Sequence, residues 1–202
     1  MKSLIIIGVP RAGKSTLATG VARKIGMANN PVSLISADAL MGGLQSLQKV
    51  SFWYSYMYRP IKHLIPVLAQ KYKQLLNHNL SAFSKIALAE QDAFSTVIYE
   101  GCYLGPSDAI HMFDPERFKI VAIGYPNITP EQKTADIRKY DKNTHIQRLD
   151  DKQLYEYIHS LIKASRKMAR ECKKYNIPFV DTSFDYCGEI QKFVDNSLDF
   201  LK

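Results

Sequence analysis

A pattern near the amino terminus constrains the fold more than any other part of the sequence. An apolar run over residues 3–7 leads into Gly8, and the segment from Gly8 to Ser15 matches G-x-x-x-x-G-K-[ST] in full. Residues 14–25 then repeat apolar side chains at helical spacing, and Gly26 follows as a stop signal. The chain is therefore predicted to form a strand, a tight loop and a helix in direct succession.

The residue types of this loop suit the binding of a triphosphate. Such a loop turns several backbone N–H groups inward, and we expect Gly8 and Gly13 to supply the unusual backbone angles that this requires. We expect Lys14 to reach the β- and γ-phosphate oxygens and the Ser15 hydroxyl to bind Mg²⁺, with the helix dipole facing the same phosphates. The predicted ligands are ATP and Mg²⁺, and the predicted binding residues of the loop are Gly8, Pro10, Arg11, Ala12, Gly13, Lys14, Ser15 and Thr16.

With these residues, the sequence GVPRAGKST resembles the loops of the P-loop NTPases, and most of all those of their small-molecule and nucleotide kinases. Arg11 departs from the small residue that is common at this position in the family. Its side chain could contact a phosphate, or it could be a solvated surface arginine. The alternative to the whole interpretation is a chance match, against which the strand–loop–helix context argues.

Short apolar or β-branched runs recur between amphipathic stretches along the whole chain. They cover residues 3–7, 32–36, 96–99, 119–124 and 177–180. Continuous apolar strands that alternate with helices indicate a parallel sheet with both faces covered, so the sequence predicts a three-layer α/β fold with five parallel strands. Helical periodicity is clearest over residues 154–172 and 190–201, and another helix is predicted over residues 60–77.

At 202 residues the chain is expected to form one domain, residues 1–202. The resemblance to the adenylate-kinase-like branch of the P-loop fold implies a helical acceptor-binding insertion at about residues 39–94 and a short lid at about residues 126–150. If the strand order is similar to that branch, we expect the strand of residues 32–36 to lie beside the strand that precedes the loop.

The charge balance favours an anionic ligand. The chain has 27 Lys and Arg against 19 Asp and Glu, a net charge of +8, which suits nucleotides, phosphorylated metabolites or nucleic acid and also serves solubility. The three cysteines have no CxxC spacing, and their odd number argues against a disulfide framework. No stretch approaches the ~20 apolar residues of a membrane span, so we predict a cytoplasmic protein without a membrane partner.

Two carboxylates follow predicted strands, at the edge where α/β proteins bind their ligands. Asp38 comes just after the second strand, where it could accept the proton of an acceptor hydroxyl or orient it, or could cap a helix beginning at Ala39. Glu100 ends the third strand, at the position of the Walker B acid. It could hold a Mg²⁺-bound water or orient the acceptor, or it could be a plain surface glutamate.

Residues 51–60, SFWYSYMYRP, combine five aromatic side chains with one arginine inside the predicted insertion. Aromatic rings with polar tips suit a planar or sugar-bearing acceptor, which makes Tyr56 a candidate contact. Arg59 could hold an anionic group of the acceptor. The alternative is that these side chains pack the helices of the insertion.

The predicted lid and the last strand supply the remaining candidates. An arginine that arrives with a closing lid neutralises charge on the transferred phosphoryl group, and Arg138 and Arg148 are the candidates in the basic segment before the last long helices. The alternative for each is a solvated charged loop. Asp181 follows the last strand, where related kinases recognise the base. Asp181 or Thr182 could instead form a turn and cap the final helix.

These features predict a Mg-ATP-dependent kinase for a small hydroxyl- or phosphate-bearing acceptor, acting as a monomer or homodimer. The alternatives are a P-loop ATPase or nucleotide-binding module without acceptor phosphorylation, and a kinase of polynucleotide 5′ ends. Against the former, the sequence contains no N-K-x-D signature and no Asp-Glu pair at a strand end. Against the latter, no RNA-binding signature is visible, so nucleic acid is not the predicted partner.

Overall fold

A computed structural model describes residues 1–39, 87, 96–142 and 144–202 of the chain. Most of the predicted acceptor-binding insertion, including the helix predicted over residues 60–77, lies outside the described residues. The strands are β1 (Ser3–Gly8), β2 (Val32–Ser36), β3 (Thr96–Gly101), β4 (Phe118–Gly124) and β5 (Phe179–Asp181). All five predicted strands are confirmed, with boundaries that shift by at most two residues.

The five strands form one parallel sheet in the order β2-β3-β1-β4-β5. Strand β1, which precedes the loop, lies at the centre between β3 and β4. Strand β2 pairs only with β3 among the described strands, so the expectation that it lies beside β1 is wrong. The carboxyl ends of the parallel strands meet at one edge of the sheet, where the loop after β1 also begins.

Helices cover both faces of the sheet, as the continuous apolar strands predict. They are α1 (Lys14–Met27), α2 (Pro106–Met112), α3 (Pro130–Tyr140), α4 (Thr144–Gln147), α5 (Asp151–Lys174) and α6 (Tyr186–Phe200). Successive residues of β1 point to opposite faces, so that Leu4 and Ile6 belong to one buried cluster and Ile5 and Ile7 to another. The three-layer α/β prediction is confirmed.

The segment predicted to be a lid contains two described helices, α3 and α4, in front of the 24-residue helix α5. At the start of helix α3 the Thr129 hydroxyl accepts the N–H of Gln132 and Pro130 occupies the first turn, and both features are typical of a helix amino terminus. Asp150 and Gln153 form a capping box at the start of α5. Among the helices that the structure describes, none is long and apolar enough to cross a membrane.

Candidate functional site

The loop between β1 and α1, residues 9–13, takes two left-handed residues, and only one of them is a glycine. Gly13 has a φ of 101° and Arg11 a φ of 63°. Gly8 has no positive φ, so the backbone freedom predicted for it is wrong. Glycine is required there for a different reason: a Cβ would lie 2.4 Å from the carbonyl oxygen of Ile123 in β4. The strand end is thereby allowed to approach its neighbour closely.

Arg11 is held by the end of α3. Its Nε lies 3.1 Å from Oδ2 of Asp141, and the Arg11 side chain is half-buried. Arg11 is therefore a partly exposed, ion-paired arginine and not a freely solvated one. A contact between Arg11 and a phosphate stays a prediction, and such a contact would have to compete with Asp141.

Lys14 lies at the start of α1 and is 6% exposed. Its Nζ donates to the Val9 carbonyl oxygen at 3.1 Å, which closes the loop on itself. The first N–H groups of a helix have no intrahelical acceptor. Those of Lys14 and Ser15 meet no backbone carbonyl among the described residues. This end of α1 therefore offers an ammonium group and unpaired amides in one place.

The carbonyls of Pro10 and Ala12 point towards side chains from the other half of the sheet. The Tyr125 hydroxyl donates to the Pro10 oxygen at 2.8 Å, and the backbone N–H of Tyr125 donates to the hydroxyl of Ser165 in α5. The Thr182 hydroxyl lies 3.4 Å from the Ala12 oxygen and 3.1 Å from that of Gly124. Loop 9–13 is thus tied to the ends of β4 and β5.

Glu100 lies at the carboxyl end of β3, facing the start of α1. It is 3% exposed, so the alternative of a plain surface glutamate is wrong. Its Oε1 accepts the hydroxyl of Ser15 at 3.2 Å and that of Ser36 at 2.8 Å. Its Oε2 is buried and has no hydrogen-bond partner in the described part of the chain. A buried carboxylate oxygen without a donor is costly unless a cation or water reaches it.

The Ser15 hydroxyl and the Glu100 carboxylate therefore fit Mg²⁺. Magnesium prefers oxygen ligands and is usually held by one or two carboxylates together with phosphates and water. Ser15 is exposed, and it is already within hydrogen-bonding distance of the carboxylate. These two residues would hold the ion on the same side of the sheet as Lys14.

Asp38 lies near Glu100, at the end of the neighbouring strand β2. Residues 37–39 are helical, so Asp38 sits inside the first turn and does not cap a helix that begins at Ala39. Its side chain is exposed, and its Oδ1 accepts the Cys102 thiol at 3.6 Å. Burial and, second, the charge of Asp38 raise the pKa of the Cys102 thiol to about 12. The thiol stays protonated at neutral pH and acts as a donor to the carboxylate.

Tyr186, in the first turn of α6, is a neighbour of the loop that no sequence pattern pointed to. Its hydroxyl lies 3.1 Å from that of Thr16. Its ring lies over Gly13, where a Cβ would approach the ring to 2.8 Å. Gly13 is therefore required both by its backbone angle and by this tyrosine. The only sequence signal for this contact is that Tyr186 is an aromatic residue shortly after the last strand.

The two lid arginines differ in their surroundings. The guanidinium of Arg138 donates to the carbonyls of Gln147 and Leu149, at 3.0 and 2.6 Å, and to Asp151 at 2.8 Å. It therefore ties α3 to the start of α5, and the alternative of a solvated loop residue is wrong for it. Arg148 is exposed, and no described residue pairs with it.

Asp181 forms a turn within the loop after β5. Its Oδ1 accepts the N–H and the hydroxyl of Ser183, and its Oδ2 accepts the Asn127 amide at 2.7 Å. The cap of the final helix is Asp185, whose carboxylate accepts the N–H of Gly188. The turn alternative for Asp181 is thus observed, whereas the cap predicted at Asp181 or Thr182 is wrong. Contact of Asp181 with a base stays a prediction, and Tyr56 and Arg59 lie outside the described residues.

Solved structures of kinases share this fold. They include a shikimate kinase from Bacteroides thetaiotaomicron, with a TM-score of 0.50 and 16% identity over 99% of this chain and 98% of that chain. A gluconokinase from Sinorhizobium meliloti has a TM-score of 0.51 and 12% identity, over 99% of this chain and 93% of that one. A sugar kinase from Janibacter has a TM-score of 0.55 and 17% identity, over 100% and 94%.

These likenesses, at such low identity, are likenesses of fold. No protein-family profile matches the sequence, and a comparison with curated proteins gave no match. The five-stranded parallel sheet and the loop between β1 and α1 define the class as the P-loop α/β fold. The predicted resemblance to the P-loop small-molecule kinases is confirmed at that level.

Proposed function

We propose that this protein is a Mg-ATP-dependent phosphotransferase whose acceptor is a small molecule with a hydroxyl or phosphate group, such as a nucleoside, a nucleotide or a metabolite. The observation that carries the proposal is the pair Ser15 and Glu100. A loop hydroxyl meets a buried carboxylate whose second oxygen has no partner among the described residues. The shared fold of three solved small-molecule kinases supports it.

Phosphoryl transfer depends on positioning and on the neutralisation of negative charge, because little covalent chemistry is left to the protein. The amides at the start of α1 and the Lys14 ammonium supply fixed positive charge at one point. Lys14 now bonds to the Val9 carbonyl, a neutral acceptor within its own loop. Exchange of that carbonyl for phosphate oxygens is favoured, because hydrogen bonds between ionised groups are stronger than those to neutral ones.

Ser15 and Glu100 would hold Mg²⁺, which supplies positive charge to the phosphate oxygens when it is bound. Ser36 fixes the other side of the same carboxylate oxygen of Glu100. Such outer hydrogen bonds orient a carboxylate that binds or supports a metal ion. The role of Ser36 is therefore to keep Glu100 directed at Ser15.

Asp38 is the proposed general base for the acceptor hydroxyl. It is an exposed carboxylate near the acid of β3, at the edge of the sheet from which the insertion leaves β2. The Cys102 thiol restrains the carboxylate by a weak hydrogen bond, and no described residue donates a hydrogen bond to its other oxygen. A residue in this position would orient the hydroxyl and remove its proton as the phosphoryl group arrives.

The test compares ATP turnover with and without acceptors in the wild type and in Asp38→Asn. The acceptors are offered as classes: nucleosides, nucleotides, sugars, and the hydroxyl compounds for which the three similar kinases are named. We expect acceptor-dependent release of ADP, nearly intact ATP binding in the variant, and ~10²–10⁴-fold slower acceptor phosphorylation. Asp195→Asn, an exposed aspartate on α6, is the control and should keep full activity.

Fast hydrolysis of ATP that no acceptor stimulates and that Asp38→Asn leaves unchanged would replace the kinase with an ATPase. Phosphorylation of 5′ ends of oligonucleotides, with no small molecule accepted, would favour the polynucleotide kinase. In that case binding should weaken steeply as salt is raised.

A further inference from the structure

Loop 9–13 has an unusual arrangement of its backbone oxygens. Four consecutive carbonyls each face a side-chain donor, and three of the donors lie more than a hundred residues further along the chain. The pairs are Val9 with Lys14, Pro10 with Tyr125, Arg11 with Lys133, and Ala12 with Thr182. A peptide group that turns its carbonyl outward turns its N–H the opposite way. The donors outside the loop therefore favour the backbone shape in which the loop amides point inward.

Arg11 is the residue at which this shape is least favourable. Its φ of 63° is in the left-handed region, which side chains with a Cβ avoid. Two contacts, one from the first turn of α3 and one from Asp141 directly after its last residue, act on this single residue. The Lys133 Nζ donates to its carbonyl oxygen at 3.1 Å, and the Asp141 carboxylate pairs with its guanidinium at 3.1 Å. The unfavourable backbone angle is thus held from both ends of one helix.

The position of Lys133 carries a desolvation cost, because its ammonium group is buried. The residue is only 7% exposed, although an ammonium group favours water. Burial lowers the pKa of its side chain, while Asp136 and Asp141 oppose that shift. Its Nζ lies 4.2 Å from the centroid of the Tyr125 ring, which offsets part of the cost through a cation–π contact. The same tyrosine donates its hydroxyl to the Pro10 carbonyl, so the two side chains form one unit beneath the loop.

We propose that Lys133 and Tyr125 are positioning residues for nucleotide binding, which hold loop 9–13 in the conformation that receives the phosphates. They touch the outward-facing carbonyls and act on the ligand through the backbone. The proposal rests on the proposed function, because it assigns a role in ATP binding. It also makes a statement about the nucleotide-free loop, which can be tested by itself.

The first test measures Mg-ATP binding by calorimetry in Lys133→Met, which keeps the apolar stem and removes the donor. We expect about tenfold weaker binding, because the competent loop conformation becomes a minor one and the apparent affinity falls by its population. Lys139→Met is the matched control: the same change on the same helix, at an exposed side chain that contacts Tyr140. It should bind Mg-ATP as the wild type does.

Tyr125→Phe is a second variant that keeps the ring and the cation–π contact and removes only the hydroxyl donor to Pro10. We expect a smaller loss of affinity, about threefold to tenfold, as for a single neutral hydrogen bond. It keeps the proposal testable if Lys133→Met fails to fold. Hydrogen exchange of the amides of residues 11–14, without nucleotide, should be faster in both variants than in the wild type.

A double-mutant cycle with Arg11→Gly tests whether Lys133 acts on nucleotide binding through the backbone angle of Arg11. Glycine adopts a positive φ without steric cost, so Lys133→Met should weaken binding less in the Arg11→Gly background than in the wild type. An equal loss in both backgrounds would overturn the role of the Arg11 backbone.

Wild-type affinity in Lys133→Met and Tyr125→Phe, with only a lower melting temperature, would reduce both residues to packing and overturn the proposal. A wild-type protein that binds no Mg-ATP would overturn the proposed function instead. The exchange of the loop amides would then still decide whether the two side chains order the loop.

Discussion

Loop 9–13 and the carboxylates at the ends of β2 and β3 lie at the same edge of the sheet, but their polar atoms are satisfied to different degrees. Each carbonyl from Val9 to Ala12 meets a side-chain donor. Glu100, in contrast, has a buried oxygen with no partner among the described residues. The loop is organised by the protein itself, whereas the carboxylate side would be completed by a ligand. Substitutions should therefore affect the two regions in different ways.

The largest effect is expected at Lys14 in the well-ordered loop region, because phosphate oxygens would replace its contact with the Val9 carbonyl. Lys14→Ala removes the ammonium group that would leave Val9 for the phosphates, and we expect weaker ATP binding and no measurable turnover. Calorimetry and a coupled ADP assay measure the two quantities. Lys24→Ala, in the last turn of the same helix, is the control and should leave both unchanged. Equal ATP affinity in Lys14→Ala and the wild type would rule out phosphate binding at this loop.

The next effect extends the comparison to the two lid arginines. Arg138 is already engaged by three acceptors, whereas Arg148 has no partner in the described part of the chain. If Arg148 reaches the transferred group, Arg148→Ala should lower kcat by ~10³-fold and change ATP affinity little.

Arg138→Ala serves as the structural counterpart, because its guanidinium joins α3 to α5. It should lower the free energy of unfolding by about 1–3 kcal/mol through the loss of charged hydrogen bonds. Denaturant unfolding of both variants separates the two roles. Unchanged kcat in both variants on an identified acceptor would remove the arginines from the mechanism.

The smallest of the three effects is expected at Glu100, where the substitution tests whether the buried carboxylate binds a metal ion. Glu100→Gln keeps the shape of the side chain and its acceptor oxygen for the serines, but removes the negative charge. We expect a 10–100-fold weaker apparent affinity for Mg²⁺, with ATP binding in EDTA unchanged. Titration of activity with Mg²⁺ measures this, and Glu116→Gln, an exposed surface glutamate, is the control. The same Mg²⁺ dependence in both variants would contradict a metal-binding role for Glu100.

The comparison also explains which parts of the molecule the sequence predicts. Two local signals predict the three-layer α/β fold. They are the motif residues Lys14 and Ser15 and the alternation of apolar strands with helices. The position of Glu100 after a strand was sufficient to bring it to the sheet edge, since the ends of parallel strands converge there.

The contacts that shape the loop could not be predicted in this way. Tyr125 and Lys133 meet the loop across more than a hundred residues of chain, and nothing in their own neighbourhood marks them. The sequence does not predict the left-handed angle of Arg11 either, because glycine is the usual residue for such an angle and the loop offers Gly8 and Gly13 for it. The position of β2 depends on which strands pair, and that is decided by tertiary packing.

The serine in the middle of α5 has a consequence beyond the packing of that helix. Ser165 is buried, its hydroxyl accepts the N–H of Tyr125, and it leaves no room for a side chain at Gly124. The tyrosine it anchors reaches the Pro10 carbonyl at its other end. A substitution at Ser165 would therefore also change the position of Tyr125 and, through it, the conformation of loop 9–13. Selection for folding and selection for ligand affinity cannot act separately on Ser165. This position is therefore as constrained in evolution as a residue that contacts the ligand.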